Sequence, residues 1–388
     1  MQVQGRVDPG YEGVRDAFEA NFTEHGDVGA AFCLYMDGRQ VVDLWGGVAD
    51  ARAGRPWEED ILTLVYSTTK GVTAICAHLL AQRGLLDLDA PVVEYWPEFG
   101  KQGKSGIPVR QLLSHRAGLP LIDKKLTPEE AMAWEPAVEA LAAQAPLWEP
   151  GTKHGYHALT YGWLVGEVIR RVTGRSLGQF LAEEITGPLR LDLWVGLPEE
   201  HEVRVSRLIP PDPPTFTAED VESFPPERIE MLRGMASPTS LTMRALNVTD
   251  PPFNFNSRLV HAGEQPAANA ITTARALAKL YAATVSEVDG TRLLSPATIE
   301  GATQEQSNGS DAVLLIDSRF GSGFFLHSTF SPLLGPASFG HAGAGGSLAF
   351  ADPDRGVGFG YVMNKMQQNL SGDNRTLTLI GAVNEATR

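Results

Sequence analysis

The chain has 388 residues, 43% of them hydrophobic, which is enough for a large core and more than one structural unit. It carries 32 Lys and Arg against 47 Asp and Glu, a net charge of −15, and no basic run. That balance argues against a nucleic-acid backbone or an anionic membrane surface as partner. Cys33 and Cys76 lie in separate apolar runs without metal-ligand spacing and read as buried thiols. No stretch approaches the ~18 uninterrupted apolar residues of a membrane helix. The opening "MQVQGRVDPGYEG" has no charged region followed by an apolar one, so the expectation is a cytoplasmic protein.

In chain order, Val14, Phe18 and Phe22 recur at helical spacing in a segment that closes at Gly26. Residues 30–50 read as two strands joined at Asp37-Gly38, a strong hairpin signal. A helix then opens at "STTKGVTAICAHLLAQRG", with Val72, Ile75, Cys76, Leu79 and Leu80 on one apolar face. Further helical patterns cover 109–118, 128–144, 161–174 and 176–185. Residues 205–264 are irregular and proline-rich, yet rich in Phe, Leu and Met, which suits an ordered lid or packed loop. Near the far end, 347–364 reads as a hairpin turning at Pro353-Asp354, with a C-terminal helix after it.

The expected fold is α+β: an antiparallel sheet built from both chain ends, flanked by helices, with a mostly helical insertion. The expected division is 1–90 and 265–388 for the α/β domain and 91–264 for the insertion. A cleft between the two parts is the natural place for a site.

Three short motifs carry possible chemistry. Ser67 and Lys70 are neighbours on one helical face, so an amine approaches a hydroxyl at a helix N-terminus. That placement favours an alkoxide nucleophile and an oxyanion. Alone, S-x-x-K occurs often by chance and better fits a capping serine beside a snorkelling lysine. Tyr156 falls on a turn-rich stretch leading into the 161–174 helix, where a side chain can face a cleft. A free tyrosine is a poor base near neutral pH. A neighbouring lysine cation would lower its pKa and let it take the serine proton. The third motif is the glycine-rich "FGHAGAGGSLAF", 339–350, which suits a backbone presented closely to a ligand or merely a tight connection.

Together these stretches resemble the serine β-lactamase and penicillin-binding-protein superfamily, whose S-x-x-K, Y-x-N and K-T-G motifs follow in this order. "LLSHRAGLP" and "PAANAITTARALAKLY" look like its class C branch. Two motifs depart from the β-lactamase pattern. Ala158 replaces the asparagine that would bind an acylamino side chain. His341-Ala342-Gly343 stands in place of Lys-Thr-Gly, so a mostly neutral histidine replaces a fixed cation. In both respects the chain is most similar to the family VIII carboxylesterases. No serine sits in the G-x-S-x-G elbow of α/β-hydrolases.

The resemblance implies a small ester as substrate, Ser67 as nucleophile and Lys70 with Tyr156 as the proton-transfer pair. It places the oxyanion on the backbone N–H groups of Ser67 and Ala344, and assigns substrate contact to His341 and Gly343. No cofactor or metal is implied. His115 reads as a helix-end residue satisfied by backbone groups, and His154 with His157 lacks a third ligand. Phe253 and Phe255 suit packing, or an acyl pocket. The alternatives are a β-lactamase or D-amino-acid peptidase, and a non-catalytic scaffold.

Overall fold

The two ends of the chain meet in one antiparallel sheet. The structure, a computed structural model, describes residues 2–213, 224 and 226–387. The sheet takes β1 (Gln4–Val7), β2 (Gly29–Met36) and β3 (Arg39–Asp50) from the N-terminal end. From the other end come β4 (Ser307–Ser310), β5 (Asp317–Phe320), β6 (Phe325–Leu326), β7 (Phe339–Ala342), β8 (Leu348–Asp352) and β9 (Val357–Met363). The order is β1-β3-β2-β9-β8-β7-β6-β5-β4, and Arg55–Pro56 adds a short pairing to β3.

Asp37 and Gly38 both take positive φ, 48° and 77°. This is the turn whose twist matches the flanking strands, and it closes the β2–β3 hairpin. β9 pairs with β2 from Val357↔Met36 to Met363↔Ala30 and so joins the two halves of the chain.

Alternation along β9 decides which helices cover which face. Phe359 and Tyr361 join a core with Val14 and Phe18 of α1 (Glu12–Thr23) and Leu379 and Val383 of α5 (Asn374–Ala386). Gly358 and Gly360 point the other way, toward α4 (Ala274–Val285). A Cβ at Gly358 would come within 2.4 Å of Ala278 O, so the absence of side chains there lets the helix backbone rest on the sheet.

The middle of the chain is mostly helical, in shorter pieces than periodicity suggests. The 128–144 pattern divides into Pro128–Met132 and Glu135–Ala143. Trp134 takes φ 74° between them, and Pro136 opens the second helix, where its missing N–H is harmless. The 109–118 pattern is helical only over Val109–Leu113, because His115 reverses the chain at φ 61°. The longest described helix of this region is α3 (Thr160–Thr173), closed by Gly174 at φ 69°.

Within the irregular segment, residues 214–223 and 225 lie outside the described residues, and so does that part of the lid reading. Its start is fastened to both halves of the sheet region. Ser206 N donates to Leu62 O (2.7 Å), Arg207 N to Ala49 O (2.9 Å) and Ile209 N to Asn364 O (2.8 Å). Phe253 and Phe255 pack against the core. Among the described residues no helix is long and apolar enough to cross a membrane.

Helix α2 (Thr68–Gln82) runs through the centre, buried on every side from Thr68 to Leu80 rather than along one face. Directly before it, Thr63–Leu64 pairs with Ile271–Thr272, which also pairs with Leu193–Trp194. This small sheet fixes the point at which the chain enters α2.

Candidate active site

Ser67 stands immediately before the first turn of α2, and its side chain makes no capping hydrogen bond. The hydroxyl is therefore not spent on the orphan amides that a serine usually satisfies at this position. Tyr66, the residue before it, takes φ 44°, a left-handed conformation costly for a large side chain. The neighbourhood holds it there: Tyr66 O accepts from Thr69 N at 2.9 Å and from Thr69 Oγ1 at 2.5 Å.

Lys70 lies one turn further on and is fully buried. Its Nζ is 3.0 Å from Ser67 Oγ, 2.7 Å from Ala158 O and 3.0 Å from Ala267 O. Burial pushes the amine well below the usual lysine value, and no carboxylate offsets that effect. The amine donates to both carbonyls and to Ser67 Oγ; loss of one proton would leave a lone pair able to accept the Ser67 hydroxyl proton.

The Tyr156 ring faces the same amine, with Nζ 4.7 Å from its centroid. Phe320 and Phe325 lie nearly parallel to it at 6.1 Å and 6.2 Å. Burial pushes its phenol up, while a hydrogen bond with Ser67 pulls the other way. The expected lowering by a lysine cation is thus reversed. Desolvation disfavours both the Lys70 ammonium and the Tyr156 phenolate.

The glycine-rich turn is fastened to the start of α2. Ser347 Oγ donates to Val65 O at 2.8 Å and lies 3.0 Å from Thr68 Oγ1. A Cβ on Gly343 would come within 2.2 Å of Val65 O, so only glycine fits there. Its N–H donates to Ser347 O at 2.7 Å, so Gly343 shapes the turn and keeps no free amide for a ligand. Among the described residues, the amides of Ser67 and Ala344 have no acceptor.

His341, on β7, is buried and neutral, its pKa pushed well below the usual value by burial and by the nearby Lys70. Nδ1 lies 2.7 Å from Ala342 O. Because a carbonyl only accepts, Nδ1 carries the proton, and Nε2 is left as a bare acceptor without a partner.

The remaining histidines have structural partners. Nδ1 of His115 accepts from His157 N at 3.1 Å. His157 accepts from Leu119 N through Nε2 and places Nδ1 2.7 Å from Gly155 O. Among the described residues no group of three His, Cys, Asp or Glu is placed to hold a metal ion.

Several groups around the site have no motif of their own. Ala267 contributes only its carbonyl. Arg375 of α5 is buried, donates to Gly345 O, and pairs with Asp27 at 3.0 Å and Asp373 at 2.6 Å. Asp311 accepts from the Tyr156 backbone at 3.0 Å. The one sequence signal for Asp311 is a carboxylate standing beside the apolar run "AVLLI".

A hydroxyl beside a buried amine, with two unpaired amides nearby, supplies the parts that acyl transfer requires. A family model described as Beta-lactamase matches residues 14–382. The chain belongs to the beta-lactamase family. Among its relatives, the esterase/beta-lactamase LipL of Mycobacterium tuberculosis (strain ATCC 25618 / H37Rv) is 36% identical over 375 residues, which is 94% of this chain and 83% of LipL. A family VIII carboxylesterase of known structure aligns with a TM-score of 0.87 and 38% identity, covering 100% of both chains. A penicillin-binding protein homolog from Caulobacter crescentus gives 0.85 and 38%, again over 100% of both. The beta-lactamase-family fold therefore extends over the whole chain, helical insertion included.

Proposed function

We propose that the protein is a serine carboxylesterase hydrolysing small or short-chain carboxylic esters through a Ser67 acyl-enzyme. The observation that carries this reading is the buried Lys70 amine, with two carbonyls on its N–H groups and its third partner the uncommitted Ser67 hydroxyl. Lys70 takes the serine proton as Oγ attacks the ester carbonyl. The N–H groups of Ser67 and Ala344 receive the developing oxyanion, each worth about 3 kcal/mol. The Tyr156 hydroxyl, beside Ser67, carries the proton to the departing alcohol. Water then releases the acid by the same path in reverse.

Substrate choice follows from what surrounds these groups. Ala158 offers no side-chain amide to an acylamino group, and the neutral His341 offers no fixed cation to a carboxylate. The Tyr156 wall is aromatic, built with Phe320 and Phe325. These features support a neutral ester over a β-lactam or a peptide with a free carboxylate. The similarity to the esterase/beta-lactamase LipL and to a family VIII carboxylesterase supports an esterase as well. LipL's name also carries "beta-lactamase", so weak β-lactam turnover by the same nucleophile is the second reading.

The test is hydrolysis of p-nitrophenyl acetate, butyrate and octanoate and of nitrocefin by wild type and Ser67→Ala. Fast turnover of the short esters, slow turnover of nitrocefin and loss of both in the variant are expected. Nitrocefin turnover equal to that of the esters would put the β-lactamase reading first. Full ester activity in Ser67→Ala would remove the acyl-enzyme altogether.

A further inference from the structure

The Tyr156 backbone is held by a buried carboxylate that takes no direct part in acyl transfer. Asp311 begins the turn that joins β4 to β5 and is fully buried. Its Oδ1 accepts three backbone N–H groups: Val313 at 2.8 Å, Leu314 at 2.9 Å and Tyr156 at 3.0 Å. The first two close the turn locally, while the third reaches across the chain to the proposed proton carrier. Oδ2 accepts from the Ser318 hydroxyl at 3.2 Å, with His154 Nε2 at 3.8 Å. Alongside, Ala312 N donates to His154 O at 3.1 Å, so the turn and the 154–156 stretch are joined at two points. The same hairpin supplies Phe320, stacked on the Tyr156 ring.

On the other side the stretch is tied to His115. Gly155 N donates to His115 O at 3.0 Å, and His157 N donates to His115 Nδ1 at 3.1 Å. The amides before and after Tyr156 thus face His115, and its own amide faces Asp311. Of these three ties, the one to Asp311 holds residue 156 itself.

We infer that Asp311 is a positioning residue for the reaction: its Oδ1 sets where the Tyr156 hydroxyl stands relative to Ser67. The inference rests on the role proposed for Tyr156. What matters is an acceptor at that point, not a negative charge, because all three of its Oδ1 partners are backbone amides.

A reciprocal pair of variants separates acceptor from charge. Asp311→Asn keeps an oxygen in place without charge, whereas Asp311→Glu keeps the charge and displaces the oxygen by one methylene. For hydrolysis of p-nitrophenyl butyrate, Asp311→Asn is expected to keep kcat within about threefold of wild type. Asp311→Glu is expected to lose about 10- to 100-fold in kcat with KM little changed, the scale for a misplaced catalytic group. In a Tyr156→Phe background Asp311→Glu should cause no further loss, since the hydroxyl it would displace is already gone. A loss in Asp311→Asn as large as that in Asp311→Glu, or larger, would show that an acceptor at that point is not enough and overturn the inference. A full additional loss in the double variant would overturn it too, by showing an effect that does not pass through Tyr156. Wild-type kcat in Tyr156→Phe alone would instead overturn the role of Tyr156, a separate failure. Thermal melts identify any variant that fails to fold. Asp311→Asn, which keeps the Oδ1 acceptor and gives up only the Oδ2 acceptor for Ser318, then decides the matter by keeping or losing kcat.

Discussion

Ser67 differs from an ordinary helix cap in what its hydroxyl leaves undone: it satisfies no orphan amide and lies against an amine stripped of water. Lys70 is the group whose titration governs that pair. In the proposed mechanism its neutral form is the base, so kcat/KM is expected to fall as the pH drops through the lowered Lys70 value. Lys70→Met should lose about 10²- to 10⁴-fold in kcat, the usual range for a general base. The same shift has a stability consequence of definite sign. The folded amine titrates below the unfolded value of 10.5, so between the two the unfolded chain binds more protons. Stability from this group therefore rises with pH across that window and is lost as pH falls. Urea unfolding of wild type and Lys70→Met at about pH 7 and about pH 9.5 checks this: the difference should shift toward wild type at the higher pH.

At the scale of elements, the site depends on how closely the glycine-rich turn approaches the start of α2. Gly343→Ala places a methyl 2.2 Å from both Val65 O and Ser347 Oγ, so either the turn or the helix entry must move. A loss of about 1–3 kcal/mol in unfolding free energy is expected. A fall in kcat should accompany it, because the Ala344 amide moves with the turn; chemical denaturation and ester kinetics on one preparation test both. The Asp37-Gly38 hairpin and the helix closed by Gly174 were legible because turn chemistry and helical period agree over short spans. The divided 128–144 segment was not, because apolar spacing runs on across Trp134 although the backbone reverses there.

At the scale of the whole molecule, the C-terminal helix reaches the glycine-rich turn through Arg375. Arg375 links Asp27 before β2, Asp373 at the start of α5 and Gly345 O in the glycine-rich turn. Arg375→Met would leave the buried Asp27 and the partly buried Asp373 without their cation, a loss of about 3–5 kcal/mol for the buried pair. It would also free the turn carrying Ala344, so urea midpoint and kcat should fall together. Arg375→Lys should restore little, since a point charge cannot span the partners that a planar guanidinium reaches. Residues 27, 345 and 375 have no common pattern in the sequence, and the sheet that joins the two chain ends brings them together.

Residue types at short spacing determined the class of fold and the family, and they placed Ser67, Lys70 and Tyr156 as candidates. These signals are local: i to i+3 on a helix, two residues in a hairpin, a run of glycines. Tertiary structure decided which way the lysine and tyrosine pKa values move, which depends on how completely water is removed and so on packing from distant segments. It also decided the partners that hold the site, namely Ala158 O and Ala267 O on Lys70, Asp311 on Tyr156 and Arg375 on the glycine-rich turn. Backbone carbonyls and amides leave no mark in a sequence, and a lone buried carboxylate acquires its meaning only from the amides that the fold presents to it.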